Sequence, residues 1–267
     1  MRNRLIQKIR DKERAKKKIF CAFLTYGYPN AGATARLIRS FEKEGVDIIE
    51  IGFPFSDPMA DGPTIQYSSE QALKRRIRIQ DVFRQTARLR REGVKVPLVF
   101  FTYLNPIFHY GLKRFARDAA RAGLDAVLVP DLPPEEEKVF GAECRKQNLA
   151  QVFLIAPTTQ RKRAAMIAKR TEGFIYYVSL RGVTGARKQM SADIAPVLRR
   201  LNRMTTKPVL VGFGVSQPDQ ARRLAGLSQG VIVGSAIIEA IRRNNGRIEP
   251  AVAFVRRMAK ALAKPGR

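Results

Sequence analysis

The sequence predicts an α/β fold, a single (β/α)8 TIM barrel with extra terminal helices, and three observations carry that reading. Short β-branched and aromatic runs alternate with longer amphipathic stretches, the pattern of a parallel sheet covered by helices. Eight such pairs fit within 267 residues, near the usual size of one closed barrel. No Ser/Gly-rich linker interrupts the series, so residues 1–267 read as one domain.

In chain order the predicted strands cover residues 19–24, 46–51, 97–101, 126–129, 151–155, 174–178, 208–211 and 230–233, each a short apolar run with β-branched or aromatic character. Between them the spacing predicts helices over 31–44, 64–91, 112–122, 134–147, 160–170, 192–203, 217–226 and 235–243, with one more at each end of the chain. A closed barrel of this kind gathers its chemistry in the loops that follow the strands. The Pro- and Gly-rich segment Glu50-Ile51-Gly52-Phe53-Pro54-Phe55-Ser56-Asp57-Pro58-Met59-Ala60-Asp61-Gly62-Pro63 follows the second strand, and Gly182-Val183-Thr184-Gly185 follows the sixth.

Composition removes several function classes. Apolar residues make up 45% of the chain, yet no run approaches the roughly 18 to 20 residues needed to cross a bilayer. The basic N-terminus lacks the apolar stretch of a secretory signal, so a cytoplasmic location is expected and no membrane association. Cys21 and Cys144 are far apart and outside any metal spacing, and His109 is the only histidine, so no metal site is expected. The net charge is +27, of which residues 1–18 and 242–267 contribute +7 each. No aromatic residues interleave with the basic runs 74–78 and 88–91, and no RNA-binding signature is visible, so specific nucleic-acid binding is not expected.

Glu50 is the first candidate for chemistry. Side chains alternate along a strand, so Val46, Ile48 and Glu50 share one face, and an inward face would set this carboxylate at the barrel mouth, where desolvation raises its pKa. A salt-bridged glutamate at a strand end fits the same spacing. Asp57 and Asp61 lie on the following loop, where a second carboxylate facing Glu50 would allow divided acid and base roles; Asp-Pro and Asp-Gly-Pro also build ordinary turns. Gly214, Gly234 and Ser235 follow strands seven and eight, where such barrels hold a phosphate on backbone amides and a short helix. Tight turns are the alternative there.

The segment from Ile49 to Gln66 resembles the signature of tryptophan synthase α subunits. The likeness continues through Tyr103-Leu104-Asn105-Pro106, Val129-Pro130-Asp131-Leu132-Pro133, Ala156-Pro157-Thr158, Gly182-Val183-Thr184-Gly185, Gly212-Phe213-Gly214 and Val233-Gly234-Ser235. It implies retro-aldol cleavage of indole-3-glycerol phosphate to indole and glyceraldehyde 3-phosphate, with Glu50 and Asp61 catalytic. It implies that Tyr176 and Thr184 position the substrate, that Phe23, Tyr103, Leu128 and Pro130 wall the indole, and that Gly185, Phe213, Gly214, Gly234 and Ser235 hold the phosphate. The loop from Arg181 to Met190 is expected to close over substrate, with Thr184 reaching Asp61. The implied partner is a pyridoxal-phosphate-dependent β subunit in an α2β2 complex, met through the loop that carries Pro54 and Asp57. No cofactor is expected in this chain, because the protonated indole ring is itself the electron sink. Another phosphate-binding barrel activity is the alternative enzyme reading, and a catalytically weak activator of the β subunit the alternative role.

Overall fold

A computed structural model of the chain describes residues 3–178, 189–212 and 214–263. Among these, nine parallel strands form one sheet: β1 (Ile19–Thr25), β2 (Ile48–Gly52), β3 (Leu98–Phe101), β4 (Ala126–Leu128), β5 (Ala150–Val152), β6 (Leu154–Ile155), β7 (Ile175–Val178), β8 (Val209–Gly212) and β9 (Gly230–Val233). The ladder runs β5-β4-β3-β2-β1-β9-β8-β7-β6. Its two ends are joined by a single residue, Phe153, so β5 and β6 are halves of one strand and the sheet closes on itself. The predicted strand over 151–155 is split because Phe153 leaves the ladder locally. Its N–H donates to the buried hydroxyl of Thr171 at 3.0 Å, while its carbonyl accepts from the Tyr176 N–H at 3.1 Å.

Twelve helices accompany the strands among the described residues: α1 (Arg4–Arg14), α2 (Ala31–Lys43), α3 (Pro63–Leu73), α4 (Ile79–Arg91), α5 (Leu104–Tyr110), α6 (Leu112–Ala122), α7 (Lys138–Lys146), α8 (Arg161–Arg170), α9 (Gln189–Met204), α10 (Pro218–Leu227), α11 (Ser235–Arg242) and α12 (Glu249–Ala263). The single helix predicted over 64–91 is two, broken where Arg76 takes a left-handed φ of 52° between α3 and α4. The short α5 was not expected from the pattern; Pro106 is tolerated in its first turn, where no intrahelical N–H partner is lost. The helix predicted from residue 134 begins at Lys138.

Alternation along the strands sorts the apolar side chains into two groups. One packs between sheet and helices, and the other fills the barrel: Ile19, Cys21, Ile48, Val99, Leu128, Val152, Leu210 and Ile232 among them. Ile48 and Glu50 do point inward, but Val46 precedes β2 and packs in the outer group, because its N–H still closes the end of α2 on Phe41. The N-terminal end of the barrel is sealed by Leu5 and Ile9 of α1. Asn3 caps this helix through its side-chain oxygen, and its amide donates to the carbonyls of Asp125 and Asn148, fastening α1 beneath the sheet.

Carboxylates organise that lower end. Asp47 accepts the Phe20 N–H and an ion pair from Lys12. Asp125, only 2% exposed, accepts the Leu98 N–H and pairs with Arg4 at 2.9 Å and Arg90 at 2.7 Å. Arg90 is itself largely buried and spends its remaining donors on the carbonyls of Gly123, Val94 and Val96. Removing one partner of such a cluster strands the other charge out of water. Asp125→Ala should therefore cost about 3–5 kcal/mol in urea unfolding. A loss under about 1 kcal/mol would show that this cluster does not hold the base of the barrel.

Candidate active site

The C-terminal ends of the strands enclose a cavity of about 320 Å³. Phe23, Phe101, Leu154, Tyr176, Val178 and Ile232 reach it from the strands, Ala60 to Ile65 flank it, and Pro130, Gly214, Val215, Gly234 and Ser235 complete its rim. A larger recess, about 690 Å³, opens at the opposite end between α1 and the loop before β3. It is wide and lined by mixed charges such as Lys8, Asp11 and Glu42, and its buried carboxylate, Asp47, is already matched to Lys12 and the Phe20 N–H, so the smaller apolar cavity is the better site for chemistry.

Glu50 lies beneath this cavity. It stands in register with Phe23 on β1 and Val99 on β3, is fully buried, and neither carboxylate oxygen closes a hydrogen bond. Burial raises its pKa from the ordinary 4.5 to about 8, opposed by the Cys21 thiol. Two aromatic rings cover it. The next inward position on β2 is Gly52, where a Cβ would fall 2.3 Å from the Phe23 ring, and on β8 a Cβ at Gly212 would fall 2.4 Å from the ring of Tyr176. Both glycines are therefore required for the rings to lie across the barrel mouth. Tyr176 feels the charges of Glu50 and Asp61, and burial first, then those charges, raises its pKa.

Asp61 reaches the cavity from the side. The loop ends at Gly62, the N-cap of α3, with Pro63 pre-set for the first turn, and α3 is tied to β1 by the buried pair Thr25 and Ser68, hydroxyl to hydroxyl at 2.6 Å. The Asp61 N–H donates to the Pro58 carbonyl at 3.1 Å, and its carbonyl accepts from the Gln66 amide at 2.8 Å. Burial lifts its carboxyl from 3.8 to about 6, opposed by a hydrogen bond from the Tyr103 hydroxyl. That hydroxyl also accepts the Ala60 N–H at 2.8 Å.

Tyr103, expected to wall the indole, thus braces the Asp61 loop and is not among the residues that line this cavity. Leu128, expected in the same wall, is likewise not among the lining residues. In register with Phe101 and Val152, it is fully buried in the barrel, and Phe101 and Leu154 form the wall there. Phe23, Pro130 and Tyr176 line the cavity. The missed residues Phe101, Leu154, Val178 and Ile232 continue the inward phase of their strands, so alternation carried that signal. Pro54 is buried, whereas Asp57 is exposed and accepts from Ser56 at 2.5 Å.

Gly234 caps the amino end of α11 and Ser235 opens it, with no side chain capping the helix. Gly214 takes a left-handed φ of 71°. The uncapped amides and the helix dipole make this rim a site for an anion. Thr184, Gly185 and Phe213 lie outside the described residues, as does most of the loop expected to close; Gln189 and Met190 belong to α9. Among the described residues no group of His, Cys, Asp and Glu could hold a metal ion, His109 is exposed, both cysteines are buried and free, and no helix is long and apolar enough to cross a membrane.

Residues 9–265 match the family model described as tryptophan synthase alpha chain. The tryptophan synthase alpha chain of Dehalococcoides mccartyi is 41% identical over 247 residues, covering 92% of this chain and 96% of that protein. That of Geobacter sulfurreducens is 45% identical over 227 residues, covering 85% and 86%. Among solved structures, tryptophan synthase subunit alpha from Legionella pneumophila superposes with a TM-score of 0.90 at 33% identity, over 98% of this chain and 99% of that one. A chain of Mycobacterium tuberculosis tryptophan synthase gives 0.89 at 32% identity, over 99% and 100%.

The raised pKa of Glu50 carries a stability cost with a definite sign. In the unfolded chain the carboxyl ionises near 4.5 and in the folded chain near 8, so the folded state binds the extra proton between these values and loses stability as pH rises across them. Glu50→Leu should raise the Tm at pH 8, by about 2–4 °C per kcal/mol gained, and the gain should shrink toward pH 5. A gain equal at both pH values would mean that ionisation of Glu50 is not its source.

Proposed function

The chain belongs to the tryptophan synthase alpha chain family, and from that premise we propose that Glu50 and Asp61 carry the proton transfers of its reaction. The enzyme is a carbon–carbon lyase that cleaves indole-3-glycerol phosphate to indole and glyceraldehyde 3-phosphate in tryptophan biosynthesis, and it works in complex with the β subunit. One observation carries the assignment of roles: burial sets the two carboxyls on opposite sides of neutrality, Glu50 at about 8 and Asp61 at about 6.

At neutral pH Glu50 is then the acid and Asp61 the anion. Glu50 gives its proton to indole C3, and the positive charge that develops on the ring is balanced by the Asp61 carboxylate, which accepts the hydrogen bond of N1–H. The Glu50 carboxylate next takes the proton of the side-chain hydroxyl. The O–H pair becomes the aldehyde C=O, the bond between C3 and the carbinol carbon breaks, and its electrons restore the aromatic ring. Glu50 ends the cycle protonated, as it began. Because the ring accepts the electrons, no step calls on a cofactor in this chain.

The apolar walls from Phe23, Phe101, Leu154 and Ile232 suit an indole, and the rim at Gly214, Gly234 and Ser235 suits the phosphate, joined in this reading by Gly185 and Phe213. Thr184 orients Asp61 as the loop closes. The β subunit carries the pyridoxal phosphate of an α2β2 assembly and meets the loop that exposes Asp57 and Met59. One domain in the cytoplasm completes the reading.

The kcat/KM profile of the free subunit should be bell-shaped, rising with Asp61 ionisation near pH 6 and falling with Glu50 ionisation near pH 8. Glu50→Gln and Asp61→Asn should each lower indole production about 10²- to 10⁴-fold with the fold retained. Near-normal turnover in either variant removes that residue from the mechanism. Gly214→Val should weaken glycerol phosphate binding, measured by calorimetry, while indole binding is preserved; an unchanged affinity places the anion elsewhere.

A further inference from the structure

Among the described residues of the barrel interior, Cys21 carries a polar group that this mechanism leaves unused. On β1 the inward residues are Ile19, Cys21 and Phe23; Phe23 pairs with Glu50, and Cys21 pairs with Ile48 one layer below and with Ile232 on β9. Cys21 and Glu50 therefore stand on neighbouring strands, on the same inward face and one layer apart, and each shifts the other's titration. The other groups packed beside Glu50 on β2 and β3 are the hydrocarbons of Ile48 and Val99. From β7 comes Tyr176, whose field couples to Glu50, Cys21 and Asp61; Asp47, outside the lower end of the barrel, acts on Cys21 alone.

Neither Glu50 oxygen closes a hydrogen bond in the resting chain, yet the mechanism requires this carboxyl to become an anion once its proton has gone to C3. An anion in hydrocarbon recruits any donor in reach, and a thiol is a weak donor with no competing partner strong enough to hold it here. We propose that Cys21 is a positioning residue that donates its S–H to the Glu50 carboxylate during the ionised half of the cycle and holds it aimed at the substrate hydroxyl. The proposal rests on the proton-shuttle role of Glu50. Protons balance without the thiol, which shares its hydrogen and keeps it.

The S–H infrared band tests this directly. In a Cys144→Ala background Cys21 supplies the remaining S–H band, which should move to lower frequency as pH is raised through 8 and stay fixed in the additional Glu50→Gln variant. A band that ignores pH overturns the proposal. Activity gives a second reading. Cys21→Val fills the layer without a donor, so the carboxylate is destabilised, the alkaline limb should move up by about half to one pH unit, and kcat should fall about two- to tenfold with KM unchanged. Cys21→Ser supplies a stronger donor, so it should restore kcat and hold the limb at or below the wild-type position. Limbs that coincide in all three proteins assign Cys21 to packing. The two readings fail separately: an active Glu50→Gln protein removes the shuttle, whereas an inactive one with a silent S–H band removes only the role of Cys21.

Discussion

A carboxyl group inside a hydrocarbon-filled ring is an unfavourable arrangement, and the functional end of this molecule is organised around keeping it there. Full burial without a closed hydrogen bond makes the charged form of Glu50 expensive, and that expense is what keeps the group protonated at neutral pH. Had an arginine lain beside it, the same residue would be a permanent anion and useless as an acid. The glycines at 52 and 212 belong to this arrangement, because each removes a side chain that would push an aromatic ring away from the barrel mouth. Asp61 is treated differently. It is only partly buried and has a tyrosine hydroxyl to accept from, so it stays ionised in the pH range where Glu50 does not.

The two ends of the barrel divide their work. At the lower end Asp47 and Asp125 are also buried, yet each is matched to cations and strand amides, so both are structural anions. The contrast shows why burial alone does not identify a catalytic carboxylate. The absence of a closed bond is the distinguishing property, and it occurs at the C-terminal end, beneath an apolar cavity whose rim carries an uncapped helix.

Much of this was legible from residue order. Alternation put Glu50 on the same face as Ile48, strand counting gave the closed ring, and Gly234-Ser235 marked the start of α11; that the shared face turns inward came from the structure. What escaped had physical causes. The breaks at Arg76 and Phe153 are set by a left-handed turn and by a tertiary bond to Thr171, neither of which has a periodic signature. The bond from the Ala60 N–H to the Tyr103 hydroxyl, and the share of Phe101 and Leu154 in the cavity lining, likewise leave no periodic mark. Such relations depend on residues dozens of positions apart, where a one-dimensional pattern is silent. The resemblance in the strand-end loops supplied the reaction that periodicity could not.

The fastening of α1 bears on how the chain comes to be folded as it is made. This helix is synthesised well before its partners: Leu5 and Ile9 share one core cluster with Leu210 and Ile232, and Asn3 waits for Asp125 and Asn148. Its apolar stripe therefore stays without its native cover until nearly the whole ring has been synthesised. Long-range closure of this kind slows folding, and partly made chains with uncovered apolar surface are prone to associate. The nine basic residues among the first eighteen give that segment a strong positive charge, and like charge opposes the association of copies.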